Sequence, residues 1–552
     1  MKIIVPMSGF GERFRKVGYD VPKPLISVDN FKFIEHVVNM FSPNEEFIFV
    51  CNKEHLNKKE WNLKGILSSL AHNYTIIGIE PHKLGPIHAV LSVRHLIKDK
   101  EPIVVNYCDF TCYWDWEKFK LDISKNNYVG AIPAYKGFHP HSLGTTNYAY
   151  IKEKNNFLID IKEKEPFTNN RIDEYASSGT YFFAKGELLI SSFEEVIKRD
   201  LNINGEYYVS LAYKILAEIY DNIYIYPLQH FMQWGTPQDL QEYQQWSETF
   251  GKINKQKKEN NIFDGTLIIP MAGLGKRFSK EGYLKTKPLI EVSGKPMVTQ
   301  AIDDLPIHKN NIFVLREDMQ FSEEIKDKLR KQRPECIIKS LPSVTDGQAN
   351  TVLEGINVLD DSKINSKFIQ PVTISACDNG VIFNWEEYKN LLNNHNIDVI
   401  VWGFRGFINA KRNPEMYGWI DCDKNGKIKS VSVKKPINND LNLPIIIGTF
   451  TFKSLRKLKI SLERLISSEN KVNGEFYVDS CINNAIKMGL NCHYFQVEEY
   501  ICWGTPNDLK TFEYWQSCFH KWKYHAYKIQ NDLHIPQDKI QSLEKRFYNF
   551  NK

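Results

Sequence analysis

The sequence predicts an α/β protein of two tandem domains, and three observations carry that prediction. The chain is written twice, short β-branched runs alternate with helical patterns inside each copy, and both copies end on the same helix-start motif. Residues 3 to 28 read IIVPMSGFGERFRKVGYDVPKPLISV, and residues 267 to 292 read LIIPMAGLGKRFSKEGYLKTKPLIEV. Gly9, Gly11, Arg13, Lys23 and Pro24 recur as Gly273, Gly275, Arg277, Lys287 and Pro288, each displaced by 264 residues. Asn204-Gly-Glu-Tyr-Tyr-Val recurs as Asn473-Gly-Glu-Phe-Tyr-Val, and Trp234-Gly-Thr-Pro as Trp503-Gly-Thr-Pro, displaced by 269. A period this long is that of a whole domain, not of a solenoid unit.

Within the first copy Lys2 to Pro6, Phe47 to Cys51, Tyr74 to Ile79 and Pro102 to Asn106 read as strands. Phe33 to Phe41 and Ile87 to Ile97 carry apolar residues at helical spacing. Strands alternating with helices imply a mostly parallel sheet covered on both faces. Thr236-Pro-Gln-Asp239 and Thr505-Pro-Asn-Asp508 read as helix starts, with a hydroxyl cap, Pro at the first helical position and an acid in the first turn. The expected division is a domain at 1–250, a polar Lys-rich linker at 251–262, a second domain at 263–515 and a basic, aromatic, helical tail at 516–552.

Composition bounds the function classes. Of 552 residues 42% are hydrophobic and 25% charged, with 30 Gly and 24 Pro, which excludes wholesale disorder and collagen-like repeats. No stretch approaches 18 consecutive apolar residues, and Met1 to Pro6 runs into Gly9 and Arg13 too soon for a signal-peptide core, so the expectation is cytoplasmic, with no transmembrane segment. Ten cysteines include no C-x-x-C pair, against a zinc site or a thioredoxin-type motif. The net charge is +5, and the last 37 residues hold seven Lys/Arg against three Asp/Glu, so the folded body is nearly neutral and a nucleic-acid partner is not expected.

A Gly-x-Gly directly after an apolar strand lets backbone N–H groups approach an anion. The dinucleotide fingerprint needs a third glycine where Phe14 and Phe278 stand, and no Gly-Lys-Ser/Thr follows, so neither a Rossmann dehydrogenase nor a Walker loop fits. Arg13 and Lys23, repeated as Arg277 and Lys287, instead give two cations beside each glycine loop, suited to a triphosphate and its departing pyrophosphate. Asp109 and Asp378 each close a strand-like run, Ile103-Val-Val-Asn-Tyr-Cys and Val372-Thr-Ile-Ser-Ala-Cys, where ligands of a parallel sheet collect. Asp421-Cys-Asp-Lys-Asn-Gly begins like a calcium loop but has Ser432 at the twelfth position, and reads as a hairpin turn.

Gly-x-Gly-x-Arg-Phe followed by Lys-Pro-Leu resembles the sugar-phosphate nucleotidylyltransferases, over both copies nearly end to end. The resemblance implies two Rossmann-like, glycosyltransferase-A-type domains with mostly parallel mixed sheets. It implies catalytic roles on the triphosphate for Arg13, Lys23, Arg277 and Lys287, with Gly9, Gly11, Gly273 and Gly275 at the nucleotide, and Mg²⁺ on Asp109 and Asp378. Thr345-Asp-Gly347-Gln348 resembles the family's base-facing stretch, of which the first copy keeps Gly85. For the sugar phosphate it implies Lys164 and Lys435, a backbone-lined pocket at Gly144, Gly179, Gly418 and Gly448, and hydroxyl contacts from Glu206 and Glu475. Gln233 and Cys502 stand where the family has a second metal carboxylate. The implied reaction joins an NTP to a sugar 1-phosphate, giving a nucleotide-activated sugar and pyrophosphate for surface polysaccharide or glycoconjugate synthesis. Homo-oligomer formation stays open, as do two alternatives: one copy regulatory or binding only, and a nucleotide-sugar-dependent glycosyltransferase, against which the Lys-Pro-Leu loop argues.

Overall fold

A computed structural model describes residues 1–256, 262–359 and 370–548. The chain divides into two compact units: unit 1 holds Met1–Glu248, Ser517–Ala526 and Glu544–Lys552, and unit 2 holds Thr249–Gln516 and Tyr527–Leu543.

In unit 1 the strand Lys2–Met7 lies between Glu46–Asn52 and Ile103–Asn106, parallel to both, and Asn73–Ile79 extends the parallel edge. Alternate residues face opposite sides: Ile3 and Val5 join one buried cluster, Ile4 the other. Both faces are therefore covered, as an uninterrupted apolar strand requires. The other half of the sheet departs from the expected mostly parallel order. Thr180–Phe183 runs antiparallel to both Ile103–Asn106 and Gly130–Tyr135, and Ala149–Lys154 with Phe157–Glu163 forms an antiparallel hairpin. For the hairpin the physical reason is the connection: Asn155 and Asn156, both at positive φ, make a two-residue turn, which joins only antiparallel strands.

Unit 2 repeats the plan. Ile262–Pro270 is parallel to Ile307–Arg316 and Val372–Ile374, while Ile445–Phe452 runs antiparallel to Val372–Ile374 and Val399–Phe404. Gly418–Cys422 and Ile428–Val433 form the expected hairpin, and Asp423 Oδ1 accepts from the amides of Asn425 and Lys427 at 2.8 and 3.0 Å, so that acid is spent on its own turn.

The helix starts read from sequence open Pro237–Ile253 and Pro506–Lys521, with the amides of Asp239 and Asp508 each 3.2 Å from the hydroxyl of Thr236 or Thr505. Gly251 to Ile253 of the expected linker continue the first of these helices, Ile262 begins a strand, and residues 257–261 lie outside the described residues. The expected tail begins inside the second helix and is only partly helical. Its one α-helix past Lys521 among the described residues is Ile540–Tyr548, preceded by the short turns Ile529–Asn531 and Gln537–Lys539. Residues 549–552 are outside the described residues. No helix among the described residues is long and apolar enough to cross a membrane.

Candidate active site

The parallel strands of unit 1 deliver their C-terminal ends to one cleft of about 500 Å³. Lys2–Met7 runs into the glycine loop, where Gly11 at φ +62° starts the short helix Glu12–Arg15 and Gly9 has no atom within 4 Å of where a Cβ would stand. The backbone there is open to a ligand. Arg13 is exposed at the mouth, and among the described residues no hydrogen bond or ion pair holds its guanidinium. Lys23, opening the turn Lys23–Leu25, donates to Asp109 Oδ2 at 2.5 Å and to the Gly235 carbonyl at 3.1 Å. Asp109 follows the strand Ile103–Asn106, and its own carbonyl accepts from Trp234 N at 2.9 Å. The Trp-Gly-Thr-Pro motif, which the sequence marks only as a helix start, therefore supplies the carbonyl that orients the lysine.

Unit 2 reproduces this set. Lys287 donates to Asp378 Oδ2 and, at 3.1 Å, to the Gly504 carbonyl, and Trp503 N meets the Asp378 carbonyl at 2.9 Å. Burial opposes the charge on Lys287, but Asp378 outweighs it and raises its pKa. The cavity here is smaller, about 210 Å³, and Arg277 lies on the Met416 sulfur at 3.7 Å. Gly418 and Gly448 line it; Gly273, Gly275, Gly347, Gln348 and Glu475 do not.

Gly85 and Gly347 are fixed by the fold. They stand at φ +87° and +124° before the helices Pro86–Leu91 and Gln348–Ile356. A Cβ on Gly85 would meet Tyr207 N at 2.7 Å, and one on Gly347 would meet Phe476 N at 2.5 Å. The stretch expected to face the base thus docks by backbone onto the Asn-Gly-Glu-Tyr/Phe-Tyr segment. Of that segment Glu206 lines the unit 1 cleft and accepts from the Tyr208 hydroxyl.

Two expected positions shift. Gly144 ends the turn Pro140–Leu143 and does not line the cleft; strand register puts Ala149, paired with Glu163, at the place that Gly418, paired with Val433, holds in unit 2. Lys435 does not line the unit 2 cavity, and Lys434 does. Lys164 and Lys434 are equivalent: both sit at φ near +60°, and their amides donate to the carbonyls of Tyr148 and Tyr417 at 2.8 and 3.0 Å. Lys164 Nζ bonds the Tyr208 hydroxyl at 2.6 Å, and Lys434 Nζ lies 5.5 Å from the Tyr477 ring centre. The signal was present, since Pro166 and Pro436 stand 270 apart, two residues beyond each lysine.

Sequence reasoning missed two carboxylates, Glu163 and Asp479, which line the two cavities beside these lysines. Burial pushes Glu163 up to about 7 against an opposing Ser210 hydrogen bond, and burial pushes Asp479 up to about 6 against the nearby Lys434 charge.

Beside Lys23 and Lys287 the carboxylates open to a divalent metal are Asp109 and Asp378; Asp508 also lines the unit 2 cavity, but its Oδ2 accepts from the Thr505 amide and hydroxyl at 3.1 and 2.7 Å. Gln233 Nε2 is spent on Asp239 at 2.7 Å. Burial, then the charges of Asp508 and Asp378, hold the Cys502 thiol far above its ordinary value. Among the described residues no cluster of three or more His, Cys, Asp or Glu could hold an ion. One carboxylate beside an open cleft fits Mg²⁺ arriving with substrate phosphates, not a resident ion in an all-protein cage.

Among similar chains, the Xenopus tropicalis mannose-1-phosphate guanylyltransferase catalytic subunit beta is 24% identical over 248 residues, 44% of this chain and 62% of the relative. Its Dictyostelium discoideum namesake is 26% identical over 192 residues, 33% and 49% of the two chains. The chain thus spans less than two thirds of the length of these curated relatives. A Vibrio cholerae nucleoside-diphosphate-sugar pyrophosphorylase structure aligns at 22% identity over 45% of this chain and 98% of its own, with a TM-score of 0.37. The nucleotidyl transferase family model matches residues 2–221 and again residues 267–511, and the chain belongs to that family.

Proposed function

We propose that the protein is a sugar-phosphate nucleotidylyltransferase with one reaction centre in each of two domains, 1–250 and 263–515. A sugar 1-phosphate oxygen attacks the α-phosphorus of an NTP in line, and pyrophosphate leaves. The observation that carries this reading is the paired set Lys23–Asp109–Gly235 and Lys287–Asp378–Gly504, each below a glycine loop. Arg13 and Lys23 meet the phosphate oxygens on which charge develops, Gly9 leaves the backbone open to them, and Gly11 takes the left-handed turn between. Asp109 and Asp378 would hold Mg²⁺ brought with the nucleotide, which screens phosphate charge. Lys164 and Lys434 face the phosphate of the acceptor. The reaction is placed in the cytoplasm, feeding surface polysaccharide or glycoconjugate synthesis.

A second reading, in which domain 2 binds without turning over, is favoured by its smaller cavity and by Arg277 resting on Met416. The deciding experiment measures pyrophosphate from the full chain with four NTPs and a panel of sugar 1-phosphates, GTP with mannose 1-phosphate first because the relatives bear that name. Lys23→Ala and Lys287→Ala chains then apportion the activity. Turnover lost entirely on Lys23→Ala selects the second reading; no pyrophosphate from any pair overturns both.

A further inference from the structure

The strongest unassigned feature is an exchange of three residues between the two clefts. In unit 1 the strand Phe157–Glu163 ends in Glu163, which pairs across the hairpin with Ala149 and accepts from Ser210 Oγ at 2.6 Å. Ser210 is the second residue of the helix Val209–Ala217. In unit 2 the same places hold Val433, paired with Gly418, and Asp479, the second residue of Val478–Lys487. The equivalent lysines, Lys164 and Lys434, follow Glu163 and Val433 directly and fix this register. Each cleft thus has a carboxylate beside its lysine, but it comes from the strand in unit 1 and from the helix in unit 2.

The third position ties the exchange together. A Cβ on Gly418 would stand 2.2 Å from Asp479 Oδ2. The alanine found there in unit 1 is incompatible with Asp479 as placed, while the small Ser210 tolerates it. The carboxylates also lean differently: Glu163 reaches from the sheet to the helix start, and Asp479 leans from the helix over the Gly418 backbone.

Among the described residues no ion pair joins Lys434 to Asp479 and no side chain donates to Asp479. Lys434 Nζ instead donates to the Met416 carbonyl at 2.6 Å, leaving two of its three protons. An ammonium and a carboxylate side by side in a cleft, each with unmet capacity, suit a ligand that carries both an anion and hydroxyl donors. We propose that Lys434 and Asp479 are the acceptor-binding pair of unit 2, the ammonium on the phosphate and the carboxylate on a sugar hydroxyl. The exchange of Ala149, Glu163 and Ser210 for Gly418, Val433 and Asp479 makes the two units select different phosphorylated sugars. This rests on the nucleotidylyltransferase reading for the class of ligand.

The test uses the full chain, with Lys287→Ala reporting unit 1 and Lys23→Ala reporting unit 2. Each is assayed for pyrophosphate with one NTP against a panel of sugar 1-phosphates, and the same panel is titrated calorimetrically where turnover is silent. The expected result is a different preferred sugar phosphate for each unit. Asp479→Asn, which keeps the side-chain shape, raises the unit 2 acceptor KM or Kd by about 10- to 100-fold, as loss of a charged hydrogen bond does, with the NTP constant unchanged within about two-fold. Ala149→Gly, Glu163→Val and Ser210→Asp together move the unit 1 preference toward that of unit 2 by about ten-fold or more in relative kcat/KM. One shared preference, or a preference that survives the exchange while turnover continues, overturns this inference alone. So does a unit 2 that binds no sugar phosphate while unit 1 does. Absence of pyrophosphate from every pair with the unmodified chain overturns the activity on which it rests.

Discussion

The ammonium of Lys23 reaches the cleft already oriented by two acceptors from distant parts of the chain, Asp109 and the Gly235 carbonyl. Such a donor costs no reorganisation when charge develops, so Lys23→Ala is expected to slow unit 1 on the order of 10²–10³ in kcat. Arg13 offers the contrasting case. Exposed and held by no partner among the described residues, it contributes little to folding. Arg13→Ala should lower the unit 1 rate on the same order while leaving stability within about 0.5 kcal/mol, read by urea denaturation beside the pyrophosphate assay. Glu163 adds a pH signature. Its carboxyl, raised to about 7 by burial, is opposed by Ser210 and Lys164 and reinforced by Glu206, and it is ionised above that pH and protonated below. A hydroxyl donates only to the ionised form without competition, so the acceptor KM of unit 1 should fall as pH rises from 6 to 8, and Glu163→Gln should flatten that dependence. A KM that keeps its fall in the variant assigns the titration to another group.

At the scale of elements, the glycines at 85 and 347 show how much of the site is held by backbone. Gly347 starts the helix Gln348–Ile356 at φ +124°, and Phe476 N reaches the Asp346 carbonyl at 2.8 Å while Ala349 N reaches the Phe476 carbonyl at 2.9 Å. Gly347→Ala adds a Cβ against that backbone and forces a side chain into a region L residues avoid, so a loss of roughly 1–3 kcal/mol is expected in urea denaturation. The same elements explain what was legible in the sequence. The strands, the two helix starts, and the lysines and aspartates taken singly could be read because each depends on local pattern repeated in both copies; that each lysine meets its aspartate could not. The antiparallel half of each sheet could not, because strand direction follows the connection and not the apolar run. The resemblance implies Lys435 where Lys434 lines the cavity, because Glu163, Lys164 and Glu165 stand opposite Val433, Lys434 and Lys435, and only hairpin register shows which lysine matches Lys164. Glu163 and Asp479 escaped because exposed acids are common and their depth in a cleft has no sequence mark.

At the scale of the molecule, the residues expected to form a basic, aromatic, helical tail carry buried side chains in both units. Trp522 in unit 1, and Tyr527, Ile529 and Ile535 in unit 2, are buried. In unit 2 the attachment is ionic as well as apolar: His534 Nε2 lies 2.8 Å from Asp304 and Nδ1 lies 3.1 Å from Asp532, which also accepts from the Tyr527 hydroxyl at 2.7 Å. Burial opposes a charge on His534, but Asp304 and then Asp532 override it and raise the imidazolium to about 10 from an ordinary 6.5. A histidine held above its unfolded value contributes stability that is complete below about pH 6.5 and is lost as pH rises through about 10. The transition that unfolds unit 2 should therefore weaken between pH 7 and 10. His534→Ala leaves two buried carboxylates without their shared cation, so the variant should be less stable by roughly 3–5 kcal/mol at pH 7 and should lose that alkaline slope. Denaturant midpoints across this range distinguish the clasp from simple packing, since a residue acting only by its bulk would lower the midpoint at every pH alike and leave the slope in place.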